Sequence, residues 1–159
     1  MADDIPILYV FVRTDMPSMT PGKAQAHSGH AANAFVHKHV IKRMQKDQQL
    51  GDAVVNWMKS TDQGFGTQIN LKGAWDEVIE AHLSAKINGH ITEKVLDPTY
   101  PYLVDSEIVG LIDPKHHSVD PIPLADGRVA CHRAEYTAIY FFGMKEDLKP
   151  YVGKFPLHP

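Results

Sequence analysis

Cysteine is nearly absent: Cys131 stands alone among 159 residues. That excludes an internal disulfide framework and a cysteine-built zinc site. No apolar run approaches the ~18–20 residues that a membrane-crossing helix needs. There is no P-loop and no G-x-G-x-x-G, so nucleoside-triphosphate and dinucleotide enzymes drop out. Repeats and low-complexity tracts are missing as well. The opening Met1-Ala2-Asp3-Asp4 is acidic where a secretory leader would be basic. The expectation is a cytoplasmic protein with no membrane association. Neither sign of charge dominates: 16 Lys and Arg face 19 Asp and Glu, for a net charge of −3. A sequence pI near 6.3 argues against a dedicated nucleic-acid coat, which would be basic.

What is present fits one globular domain spanning residues 1–159: 43% apolar and 22% charged residues. Ile7 to Val12 is a β-branched and aromatic run that reads as a buried strand. Thr20-Pro21 supplies an N-cap and a first-turn proline. A long helix is predicted from Gly22 to about Leu50, with further turns over Asp52 to Lys59. Gly64 to Leu71 alternates as a strand, and Ala74 to Ile87 has helical spacing closed by Asn88-Gly89. His90 to Asp97 reads as a third strand stopped by Pro98. The β-α-β-α-β order is that of a layered α/β sheet.

Residues 99–134 interrupt the pattern with Pro, Asp and His, as a functional insertion does. Within it, Glu107 to Ile112 and Arg128 to His132 suggest a small hairpin. Tyr136 to Phe142 is the last strand, and Lys145 to Val152 a short closing helix.

The ten histidines matter by position. At 100° per residue, Lys23, His27, His30, His37 and Ile41 fall within about 80° of one another. Lys23, His27 and His30 thus form a basic, titratable stripe at the start of the long helix. In α/β sheets ligands gather outside the carboxyl ends of strands, where helix N-termini favour anions.

Val10-Phe11-Val12-Arg13-Thr14-Asp15-Met16, followed by Gly22-Lys23-Ala24-Gln25-Ala26-His27-Ser28-Gly29-His30-Ala31-Ala32, resembles the opening of the archaeal/eukaryotic-type (type II) peptidyl-tRNA hydrolases. That family reads V-V-R-x-D-L, then a Met/Gly/Lys loop, then G-K-x-A-A-Q-x-x-H-A. The likeness is sharp over about residues 7–35 and architectural to residue 97. It places Lys23 and His30 on the family's active-site Lys and His, and Asp97 on its Asp. His27 replaces the family's glutamine, and Pro21 stands where a second lysine is usual. The resemblance implies a three-layer fold, a mixed sheet of about four strands with helices on both faces, and a homodimer.

Hydrolysing a peptide–tRNA ester requires an activated water, a stabilised oxyanion and a grip on phosphate. Lys23 suits the oxyanion or phosphate, His30 or Asp97 the water, and Thr99 a hydrogen bond to the nucleophile. Arg13, Asp15, Gly22 and His27 are the substrate-contact candidates. The partner is then peptidyl-tRNA, with no cofactor and no metal. Two alternatives stay open. One is a non-catalytic tRNA- or protein-binding module on the same fold. The other is a metal-dependent hydrolase using His27, His30 and a distant third ligand, although the spacing is not H-E-x-x-H.

Overall fold

A computed structural model describes residues 5–16, 18–105 and 119–158. Its elements are β1 (Ile7–Arg13), α1 (Pro21–Val36), a π-helical turn (His37–Ile41), α2 (Lys42–Met44), α3 (Asp52–Lys59), β2 (Gln68–Gly73), α4 (Trp75–Ile87), β3 (Ile91–Asp105), β4 (Val119–Pro123), β5 (Arg128–Gly143) and α5 (Lys145–Val152). The sheet has five strands in the order β2-β1-β5-β3, with β4 paired to β5. It is mixed: β1 runs parallel to β2 and antiparallel to β5. The chain divides into two compact units, Met1–Val95 with Ala138–Pro159, and Leu96–Thr137. The second unit lies close to the expected insertion at 99–134.

In the first unit the alternation of strand side chains makes two cores. Leu8, Val10 and Val12 join Ala138, Tyr140 and Phe142 on one face, under Ala24, Ala31 and Phe35 of α1 and Val54 and Trp57 of α3. Tyr9, Phe11, Ile139 and Phe141 fill the other, under Val78, Ala81 and Ala85 of α4 and Leu148 and Val152 of α5. These are the expected three layers with helices on both faces. Phe35 is the centre of the α1 side: its ring centroid lies 4.6 Å from Phe142, 5.4 Å from Trp57 and 5.5 Å from Tyr140. Gly66 lets the 61–67 loop close over Trp57, because a Cβ there would fall 2.3 Å from the indole.

Three expectations are corrected. The long helix does not reach Leu50. It passes through a π turn, in which the Lys42 N–H reaches the His37 carbonyl, and α2 ends at Met44. The stop is Asp47, in the left-handed region at φ 51°, with the Gln48 N–H donating to the Arg43 carbonyl at 2.9 Å. This is a Schellman-type ending carried by aspartate instead of glycine. Pro98 does not end the third strand either, since β3 continues to Asp105. β3 ends the strand order at an edge, where a missing N–H costs no ladder bond if it faces outward.

The last strand begins at Arg128, eight residues before the expected Tyr136, so β5 runs for 16 residues. The insertion therefore contributes strand, and the sheet has five members where about four were expected. In the second unit, Val119 pairs with His132 and Ile122 with Ala130 across a bulge. The connecting turn closes at Gly127, φ 82°, whose N–H donates to the Leu124 carbonyl at 3.2 Å. The other half of the expected hairpin, Glu107 to Ile112, lies outside the described residues.

Candidate active site at the first turns of α1

Strand β1 delivers the chain through residues 14–20 to α1. Thr20 caps the helix as expected: its Oγ1 accepts the Lys23 backbone N–H at 3.4 Å, and Pro21 opens the first turn. Met19, just outside the cap, packs against the core cluster that holds Ala24. A residue before the cap meeting one in the following turn fixes the angle at which the helix starts. The first turn holds no acidic residue, and its charged side chain is that of Lys23, half-buried. The positive end of the helix dipole opposes a cation there, by about 0.3–1 kcal/mol.

One turn on, His27 is buried at 4% exposure and His30 is exposed. Their rings meet edge to face with centroids 5.2 Å apart. His27 is therefore the buried member of the pair, against exposed His30. The two imidazoles also offer two nitrogen donors on one helix, the part of a metal centre that α1 itself can supply. Gly22 is exposed, and a Cβ built on it meets nothing within 4 Å.

The roll of α1 is set by a polar network absent from the sequence reading. Ser28 is buried beside His27 and its Oγ donates to Asn70 Oδ1 at 2.8 Å. Gln68 Nε2 donates to both Ser28 Oγ and Asn70 Oδ1, each at 2.8 Å. These bonds tie α1 to β2, fixing which side chains of the next turn face outward. The signal for them was only a serine inside an alanine-rich helix and an alternating Gln-x-Asn strand.

Arg13 and Asp15 are held elsewhere. Arg13 Nε and Nη2 donate to the two Asp15 carboxylate oxygens at 3.0 and 2.6 Å, and the guanidinium lies 4.8 Å from the Trp75 ring centroid. The hydrogen bond from Arg13, with its charge, outweighs burial and holds Asp15 below the ordinary carboxylate range. Trp75 opens α4, so this pair belongs to the face of the sheet opposite α1.

Asp97 and Thr99 stand at the start of the second unit. Asp97 Oδ1 accepts the Thr99 backbone N–H at 2.8 Å and lies 3.4 Å from its Oγ1. Asp97 thus orders the backbone around Pro98, and the Thr99 hydroxyl is already turned toward a carboxylate.

Other histidines are structural. His82 is buried and its Nδ1 lies 2.8 Å from Thr92 Oγ1. His39 Nε2 lies 3.2 Å from the Tyr140 hydroxyl, and its ring packs on Phe35 with centroids 5.0 Å apart. Burial lowers both pKa values, assisted by Lys86 and Lys94 for His82 and by Lys38 and Arg43 for His39. Part of the histidine surplus is thereby explained by packing.

The fold and this arrangement define a mixed α/β protein with a half-buried lysine and an exposed histidine in the first turns of a helix. Compared with models of known families and with curated proteins, the chain matches none. No helix among the described residues is long and apolar enough to cross a membrane.

Proposed function

We propose that the chain is a peptidyl-tRNA hydrolase-like esterase, with Lys23 and His30 as its working pair on α1. The observation that carries this reading is Lys23 itself. A half-buried cation occupies the first turn of α1, at the end of the helix where the dipole favours anions. An oxyanion or phosphate placed there meets both the ammonium and the helix N–H groups. His30, exposed about two turns on, is the group that takes the proton from water. The resemblance of residues 7–35 supplies the substrate class, and it adds Asp97 as the carboxylate that orients the attacking water, with Thr99 hydrogen-bonded to it.

In this mechanism water attacks the ester carbonyl carbon while its proton passes to the base. The carbonyl oxygen becomes the oxyanion beside Lys23, and collapse breaks the bond to the ribose oxygen, which takes the proton from the base and leaves as the hydroxyl. His27 packs edge to face against His30, and Ser28 holds the helix in register.

The test is hydrolysis of a model peptidyl-tRNA by wild type and Lys23→Ala, with and without chelator. Chelator-resistant turnover that falls about 10²-fold or more in the variant supports the reading. Turnover that a chelator removes assigns His27 and His30 to a metal instead. Binding of peptidyl-tRNA without any turnover in wild type leaves a non-catalytic binding module.

A further inference from the structure

Between Asp15 and Asp47 the chain contains no aspartate or glutamate, although the protein carries a net charge of −3. That acid-free stretch is the loop, α1, the π turn and α2. At its far end Lys38, His39, Lys42, Arg43, Lys46 and Gln48 line a cavity of about 240 Å³. At ~30 Å³ per water, it has room for several waters or a phosphate group. Lys38 pairs with Glu93, whose carboxyl is raised by burial but held below its ordinary value by the Lys38 hydrogen bond and charge. Arg43 is braced by a 3.0 Å bond from Nη1 to the Gln49 carbonyl. Among the described residues no carboxylate pairs with Lys42, Arg43 or Lys46.

A helix C-terminus favours cations by about 0.3–1 kcal/mol each. That preference does not require several of them to converge on one hollow, where like charges four residues apart repel. Lys42 opens α2 and Lys46 lies in the turn that follows it, and both line the same hollow. The nearby exposed apolar side chains, Ile41 and Met44, are too few to seat a helix in a membrane. We infer that this cavity and its rim bind the phosphate backbone of duplex RNA. The choice of RNA rests on the hydrolase reading. Along the helix the cavity lies roughly 25–30 Å from Lys23, so this would be a second grip, distant from the ester.

The experiment measures binding of a fluorescein-labelled RNA hairpin with a single-stranded 3′ tail, by anisotropy across a salt series. It compares wild type, Lys42→Gln/Lys46→Gln, and Lys145→Gln on α5 as a distant control. These positions are exposed, and Lys46 lies in the turn after α2, so glutamine retains the fold, as circular dichroism verifies. The double variant is expected to raise Kd about tenfold near 0.1 M salt and to lower the slope of log K against log salt by about 2. Lys145→Gln changes neither. An unchanged slope and Kd in the double variant overturn the proposal. So does loss of binding to phosphatidylserine vesicles with RNA binding intact. The hairpin carries no ester, so failure of the hydrolase chemistry at Lys23 leaves this readout unaffected.

Discussion

Helices α1 and α4 each follow the carboxyl end of a strand in the parallel pair β1–β2, yet α4 places Asp76 and Glu77 in its first turn and α1 places Lys23 there. Helices α3 and α5 side with α4, opening on Asp52 and on Glu146 and Asp147. Three helices thus complement their dipoles and one opposes its own. Each of these helices contributes buried side chains to one of the two cores. The difference is local, confined to the end of α1 that carries Lys23, His27 and His30. The dipole rule accounts for the acidic start of α4 and runs against Lys23 at the start of α1.

The comparison breaks most heavily at the seat of α1. Phe35→Ala should lower unfolding free energy by about 3–5 kcal/mol, read from urea melts, because a fully buried ring between Trp57 and Phe142 is lost. A loss below about 1 kcal/mol would mean that α1 is not anchored as described. Next comes Lys23→Ala, which should reduce peptidyl-tRNA turnover about 10²-fold, near 2.7 kcal/mol, while leaving the melt unchanged or slightly improved. Equal losses of activity and stability would make Lys23 structural.

A third outcome concerns pH. The ordinary histidine value is 6.5, and both His39 and His82 are lowered in the fold. The unfolded chain then binds more protons, so stability rises with pH in this range. The contribution is complete above about pH 6.5 and erodes as pH falls below it, through the lowered values. Urea midpoints at pH 7.5 and 5.5 should show the drop, and His82→Gln should flatten it. The carboxylates Asp15 and Glu93 titrate at lower pH and do not confuse this window. Smallest is the direct exchange of signs. Lys23→Glu should raise stability by about 0.3–1 kcal/mol and Glu77→Lys lower it by a similar amount. Matching signs for the two would refute the contrast between the helices.

Much of the first unit was legible because its signals are local. Ile7 to Val12 alternates between two buried faces, and Thr20-Pro21 and Asn88-Gly89 are chemical start and stop marks. The end of α2 was not legible, because its left-handed stop is Asp47 and aspartate fills that conformation only occasionally. β3 was misjudged at Pro98 because a proline is forbidden in a central strand and tolerated at an edge, and strand order is a property of the whole sheet. Of the site, the stripe on α1 was readable from helical periodicity. The bidentate Arg13–Asp15 pair and the Ser28–Gln68–Asn70 network depend on neighbours distant in sequence, or on which face a strand residue takes, so spacing alone could not assign them.

The π turn at His37–Ile41 gives chain length a role that composition does not have. It takes up one residue more than an α-helical turn would. Deleting a single residue from it would relax it to an α-helical turn and leave Lys42, Arg43 and Lys46 near their present places, because the wide turn already absorbs the extra residue. Chain length can therefore differ by one residue at this point while the basic surface keeps its convergence.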